Sequence, residues 1–255
     1  MSKTIKYYSG AEFVNLTNIK VILIQKVGKQ LWEVSIKNTE FKLNIRECLL
    51  IKGTFKTPMC STVYKVGYFG FGEFKCRDKD GKITAEYSVW ANMIKRCYTD
   101  YKGNKAQKIY EKIKVCDEWL NFQNFASWYC KNTQIYSYYQ VAPKLDKDLF
   151  GNNEYSPQNC VILPNIINCS LSEKRATSKL SNGIYLMSNG KFTVRIMKYG
   201  FFERLGTFSD LDSARSAYKN SKEDHIHELA KKFKDILDDR TYSSLLNWKH
   251  SGEYV

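Results

Sequence analysis

Hydrophobic and polar positions alternate along much of residues 1–57. "AEFVNL", "KVILIQKV", "QLWEVSI" and "EFKLNI" are rich in β-branched and aromatic residues, with turn-forming "VGKQ" (Val27 to Gln30) and "KNTE" (Lys37 to Glu40) between them. A period of two predicts strands. Several short strands in so few residues predict a small β-barrel, an architecture that often binds nucleic acid or protein. In "VGYFGFGEFKCRDKDGKITAEYSVW", Gly67, Gly70 and Gly72 punctuate aromatic residues. No Gly-Lys-Ser/Thr follows, so this is not a phosphate loop. It reads as a glycine-kinked β-ribbon closing in a hairpin at "DKDG".

The period then changes to that of a helix. In "EYSVWANMIKRCY", Trp90, Ile94, Cys97 and Tyr98 share a face; in "CDEWLNFQNFASWYC", Trp119, Phe122, Ala126 and Tyr129 do the same. Such aromatic stripes belong to a core far more often than to a base-stacking platform. Lys95 and Arg96 lie off the stripe and read as phosphate contacts or as solvated side chains.

Further on, "KLDKDLF", "GNNEYSPQ", "NCVIL" and "PNIINCSLSEK" read as strand, loop, strand and a helix opened by Pro164. Residues 171–182, "LSEKRATSKLSN", are polar and basic and read as a linker. After them "GIYLM", "KFTVRIM" and "FFERLGTF" are strands joined by tight turns at "SNG" and "KYG". Alternation sends Phe192, Val194 and Ile196 inward and Thr193, Arg195 and Met197 outward. A helix follows, with Ser209 as N-cap, Asp210 and Asp212 in its first turn, and Leu211, Ala214, Tyr218, Leu229 and Phe233 on its buried side.

Composition narrows the partners. The formal net charge of +14 draws the chain to polyanions, of which nucleic acid is the commonest. The longest apolar runs fall far short of the ~20 residues that cross a bilayer. "MSKTIKYYSG" lacks the apolar region of a signal peptide, so the expected location is the cytoplasm, with no membrane partner. The eight cysteines form no Cys-x-x-Cys pair. They read as reduced, buried thiols, and no structural zinc is expected. The three histidines, His225, His227 and His250, are all near the C-terminus, so an earlier site is expected to work without one.

A strand–loop–strand–helix unit can set a carboxylate from its first strand beside an amide from its helix, and together they can hold one divalent cation. Asp146 and Asn168 are the residues in those places. The run resembles the HNH, or ββα-metal, endonucleases over about residues 116–172. Asp146 matches the first metal ligand of that family, Asn159-Cys160 its Asn-Leu pair, Asn168 the helix ligand, and Asn153 falls in the loop. The resemblance implies a Mg2+ or Mn2+ ion on Asp146 and Asn168, with Asp146, Lys147 and Asn168 as the catalytic set. Lys147 stands where the family has its general-base histidine. It would act as base once its pKa is lowered, or clamp phosphate while Tyr155 or Asp148 activates water, or mark a unit that binds without cutting.

The run "NGIYLMSNGKFTVRIMKYGFFERLGTFSDLDSARSAYK" resembles the APETALA-type, ethylene-response-factor-like DNA-binding domain through Gly183-Ile184, Gly190-Lys191-Phe192, Leu205-Gly206-Thr207-Phe208, Ala214 and Ala217-Tyr218. The resemblance implies a three-stranded antiparallel sheet packed on one helix, with the sheet in the DNA major groove. Tyr185, Arg195 and Arg204 fall where that family places DNA-facing residues, with Lys191 and Lys198 as phosphate contacts. The family usually has Arg at the position of Tyr185 and Trp at that of Arg204.

The expectation is an α+β, multidomain chain: a small β-barrel-like module at 1–57, an HNH-like ββα-metal domain with its preceding ribbon and helices at 58–170, the linker at 171–182, the APETALA-type domain at 183–240, and a tail at 241–255. The two resemblances together are those of phage-encoded proteins on the homing-endonuclease plan. They imply a metal-dependent endonuclease acting on double-stranded DNA. The alternatives are a degenerate nuclease serving as a DNA-binding regulator, or a phage factor that binds a host defence protein.

Overall fold

The computed structural model describes residues 7–99, 112–151, 153–172 and 183–250. Residues 173–182 of the expected linker, and 251–255 of the expected tail, lie outside them. The architecture is mixed α+β, in two compact units, Met1–Tyr129 and Cys130–Val255. No helix among the described residues is long and apolar enough to cross a membrane.

In the first unit β1 (Glu12–Val14), β2 (Lys20–Gly28), β3 (Leu31–Ile36) and β4 (Lys42–Arg46) form an antiparallel meander in sequence order. Alternation buries Val21 and Leu23 of β2 and Trp32, Val34 and Ile36 of β3. Ile45 of β4, Leu50 of helix α1 (Glu47–Lys52) and Phe55 close the same core. Among the described residues β1 and β4 are not paired with each other, so the sheet is open there.

The expected β-ribbon takes another form. Between residues 57 and 84 the described backbone runs as turns, with isolated bridges such as Arg77 to Ile83 around the "DKDG" turn. A buried amide replaces the ladder: Gln123 accepts from the Phe74 amide and donates to the Phe74 carbonyl, both at 3.0 Å. The glycines permit that approach. A Cβ on Gly70 would overlap the Asn121 side chain, and one on Gly72 the Gln123 side chain.

Helix α2 (Ala85–Tyr98) buries Trp90, Met93 and Ile94, and the Trp90 indole donates to the Trp119 carbonyl at 2.7 Å. After a short strand β5 (Lys114–Val115), the stretch expected as one helix is two, α3 (Asp117–Leu120) and α4 (Phe122–Tyr138). Asn121 breaks it. Its backbone is extended, and its Oδ1 accepts from the Gln123 amide at 3.0 Å, a local bond that competes with the helical ladder. The predicted stripe of Trp119, Phe122, Ala126 and Tyr129 is buried nonetheless.

In the second unit β6 (Pro143–Asp146) pairs antiparallel with β8 (Val161–Pro164), with a short strand β7 (Glu154–Tyr155) in the intervening loop and helix α5 (Asn165–Leu171) directly after β8. The C-terminal sheet has the order β11-β10-β9, from β9 (Ile184–Leu186), β10 (Phe192–Lys198) and β11 (Phe201–Phe208). Helix α6 (Leu211–Lys232) serves two cores. Its first half packs Ala214 and Tyr218 on Ile184 and Val194 of the sheet. Its second half packs Ile226, Leu229 and Ala230 against Val161, Leu163 and Ile167 of the ββα segment. The N-cap of α6 is Asp210 rather than Ser209: its carboxylate accepts from the Ser213 amide at 2.7 Å, a charge-assisted bond that also meets the positive end of the helix. A further helix, α7 (Asp239–Leu246), completes the second core through Leu245.

Candidate nucleic-acid interface and candidate metal centre

Asp146 is the last residue of β6, opposite Val161. One carboxylate oxygen accepts from the backbone amides of Asp148, at 3.0 Å, and Leu149, at 2.8 Å, and so fixes the turn out of the strand. Burial raises its pKa above the ordinary carboxylate range, against the opposing pull of those two bonds. Lys147 is only 6 % exposed. Its ammonium is paired with Asp148 and lies 5.8 Å from the centre of the Tyr155 ring. The loop therefore uses Lys147 as an internal charge partner. Asn168 sits half-buried within α5, on the helix that follows the returning strand.

Asp146 carries an anionic oxygen and Asn168 an amide oxygen, donor types that hard divalent ions take. A cation beside Asp146 would also offset the unfavourable burial of its charge. Among the described residues there is no group of three or more His, Cys, Asp or Glu able to hold a metal.

Two neighbours of this unit come from far along the chain. Arg240 of α7 stacks on Phe150, 3.7 Å from the ring centre, and donates to the Gln158 carbonyl at 2.7 Å, tying the helix to the loop. The signal was the helix start at Asp238, whose carboxylate accepts from the Thr241 amide and hydroxyl. His225 is far from the ββα run in sequence. The fold brings its Nε2 within 3.5 Å of the Ser170 hydroxyl on α5. Burial, and next Lys198, lower its pKa, and the Tyr199 ring stands edge-on to it at 4.9 Å.

The C-terminal sheet gathers most of its predicted residues on one face. Val194 and Ile196 are buried and Arg195 and Met197 are exposed, as alternation requires. Across the ladder Thr193 lies between Tyr185 and Thr207, Arg195 opposite Arg204, and Met197 opposite Phe202. A bulge makes this possible. The register shifts between Val194 and Arg195, so that Leu205 is extra on β11. Leu205 and Gly206 both turn toward the core side, and Arg204 and Phe202 emerge beside Arg195 and Met197.

The Arg195 guanidinium lies 5.9 Å from the Tyr185 ring centre, and Arg204 donates to the Thr207 hydroxyl at 2.7 Å. Lys191 is exposed at the edge of this face. Lys198 is not on it: alternation turns it to the helix side, where it pairs with Glu203 at 3.4 Å. Two arginines directly across a ladder repel each other, an arrangement that an anion held between them would relieve.

Comparison of the chain with family models, with curated proteins and with solved structures finds no match.

Proposed function

We propose that the chain binds double-stranded DNA through the outward face of β9, β10 and β11. The observation that carries this reading is Arg195 set directly opposite Arg204 on an exposed face beside Tyr185, in a chain of net charge +14. The paired guanidiniums suit phosphate or a guanine edge, and Tyr185 flanks them with an aromatic surface. The resemblance to the APETALA-type domain supports the same surface. Fluorescence anisotropy with a mixed-sequence duplex tests it across a series of salt concentrations. Arg195→Ala and Arg204→Ala are each expected to weaken binding and to lower the slope of log affinity against log salt by about one. Unaltered affinity and slope in both variants would overturn the reading.

A second reading, a metal-dependent HNH-like endonuclease, is favoured by the strand–loop–strand–helix order with Asp146 ending its first strand and Asn168 in its helix. These two residues would hold the ion, which supplies charge stabilisation at phosphate oxygens when bound. The N-terminal meander then reads as a small barrel-like module that adds to the grip on DNA. With Mg2+ or Mn2+ the parent is expected to nick or cut supercoiled plasmid, and Mn2+ to raise its melting temperature. Asp146→Ala would abolish both effects while binding DNA like the parent. A parent that neither cuts nor responds to Mn2+ is a DNA-binding protein only.

A further inference from the structure

We propose that the tip of the β10–β11 hairpin is a wedge: the outward rung of Met197 and Phe202 enters between bases while the adjacent arginine rung holds the backbone. The inference rests on the DNA-binding reading of the same face and adds to it a mode of contact. The tip concentrates large apolar side chains in solvent. Phe201 is 78 % exposed, Phe202 69 %, Met197 45 % and Tyr199 43 %. The hairpin is tight and the tip is braced from below. The Tyr199 ring meets His225 edge-on at 4.9 Å, and the Lys232 ammonium lies 5.1 Å from the same ring centre. The tip therefore presents its phenylalanines from a fixed base on α6.

The spacing is suited to a duplex. Successive outward rungs of a strand are about 7 Å apart, set by a rise of about 3.4 Å per residue. Along one DNA strand, ~3.4 Å separates neighbouring phosphates measured on the helix axis. A Met197–Phe202 rung thus sits about two base steps beyond the arginine rung along the same face. Apolar wedges accompanied by cationic side chains are the combination with which minor-groove proteins unstack a step and kink DNA, and the same unstacking is asked of the tip on this face. The charge of the neighbouring rung chooses the occupant: two arginines with no salt bridge to a carboxylate among the described residues, beside the apolar tip, complement a polyanion with flat apolar bases, and a protein partner would have to bring acidic groups to the same rung.

The full chain is tested with a mixed-sequence duplex carrying a fluorescent adenine analogue at flexible pyrimidine–purine steps. Binding of the parent is expected to raise the analogue's fluorescence as the step unstacks. Phe202→Ala is expected to weaken binding on the order of 10- to 100-fold, to lose the fluorescence rise, and to keep the parent's salt slope, since no phosphate contact is removed. Phe202→Trp is expected to restore affinity and signal. An unchanged melting temperature confirms that the exposed substitution leaves the fold intact. Duplex binding by the parent with no fluorescence change, or by Phe202→Ala with unchanged affinity, overturns the wedge and leaves the DNA-binding reading standing; that result is also the one expected if the phenylalanines hold a protein. A parent with no salt-dependent affinity for any duplex overturns both.

Discussion

Gly183 precedes β9 at the point where sheet and helix meet, and its replacement by alanine tests how β9 and β10 are held on α6. Its φ is +75°, and its carbonyl accepts the Arg195 amide at 2.8 Å. A Cβ there would stand 2.5 Å from Tyr218 Cε2, 2.9 Å from Tyr218 Cδ2, and inside contact distance of the Arg195 carbonyl oxygen. Two costs therefore add. An L-residue in the left-handed region costs about 1–2 kcal/mol. Overpacking against a backbone oxygen and a ring fixed on α6 costs a further ~1–3 kcal/mol. Gly190, with φ +78° and nothing within 4 Å of its added Cβ, carries only the first cost. The pair separates conformation from collision. Amide hydrogen exchange of the β10 amides in the full chain reads the local opening free energy. At about 1.4 kcal/mol per factor of ten, Gly190→Ala is expected to lower protection by ~5- to 30-fold, and Gly183→Ala by a further ~5- to 150-fold. Equal losses in the two variants would refute the claim that Gly183 is needed for close approach.

Two predictions concern pH. Burial raises the Asp146 carboxyl, so the folded state favours its neutral form; the penalty is absent below the unfolded value of about 3.9 and grows as pH rises through the folded one. Asp146→Asn in chelator is therefore expected to melt above the parent at neutral pH, with the gap closing toward pH ~4; a gap independent of pH would contradict the assignment. His225 is lowered, chiefly by burial, so the folded state favours neutral imidazole. Its contribution is complete above the unfolded value of about 6.5 and is lost as pH falls from there toward the folded one. Melting curves of His225→Gln are expected to lose that part of the acid sensitivity, and an identical pH profile would count against it.

Much of the chain's local structure was legible because it obeys a period. The meander, the C-terminal hairpins and the aromatic helix faces all follow from alternation or helical spacing with ordinary turn residues. The failures share a cause: long-range or side-chain bonds took over where periodicity was expected to rule. The glycine–aromatic segment resembles a strand until Gln123, far along the chain, supplies the hydrogen bonds a partner strand would have given. Asn121 stops a helix whose apolar stripe runs straight through the break. Alternation gave the outward set on β10, but the bulge could not be read from one strand alone, and it decides which residues of β11 join them. At the ββα unit, sequence order located Asp146 and Asn168 on the elements they occupy. The burial of Lys147, the approach of His225 to Ser170 and the clamp from Arg240 depend on tertiary packing that no local pattern records.

The extra residue at Leu205 works as a parity setting for the hairpin. Side chains on a strand change sides with every residue, but Leu205 and Gly206 share a side opposite Val194, so the bulge takes up one residue without a change of side. Strict alternation through Leu205 would turn Arg204 and Phe202 toward the helix and exchange a cationic, aromatic exterior for a charge aimed at an apolar core, whereas deleting Leu205 together with the bulge would leave both facing outward. On the tip side of the bulge, inserting or deleting one residue between Arg204 and Phe202 would put the two on opposite faces.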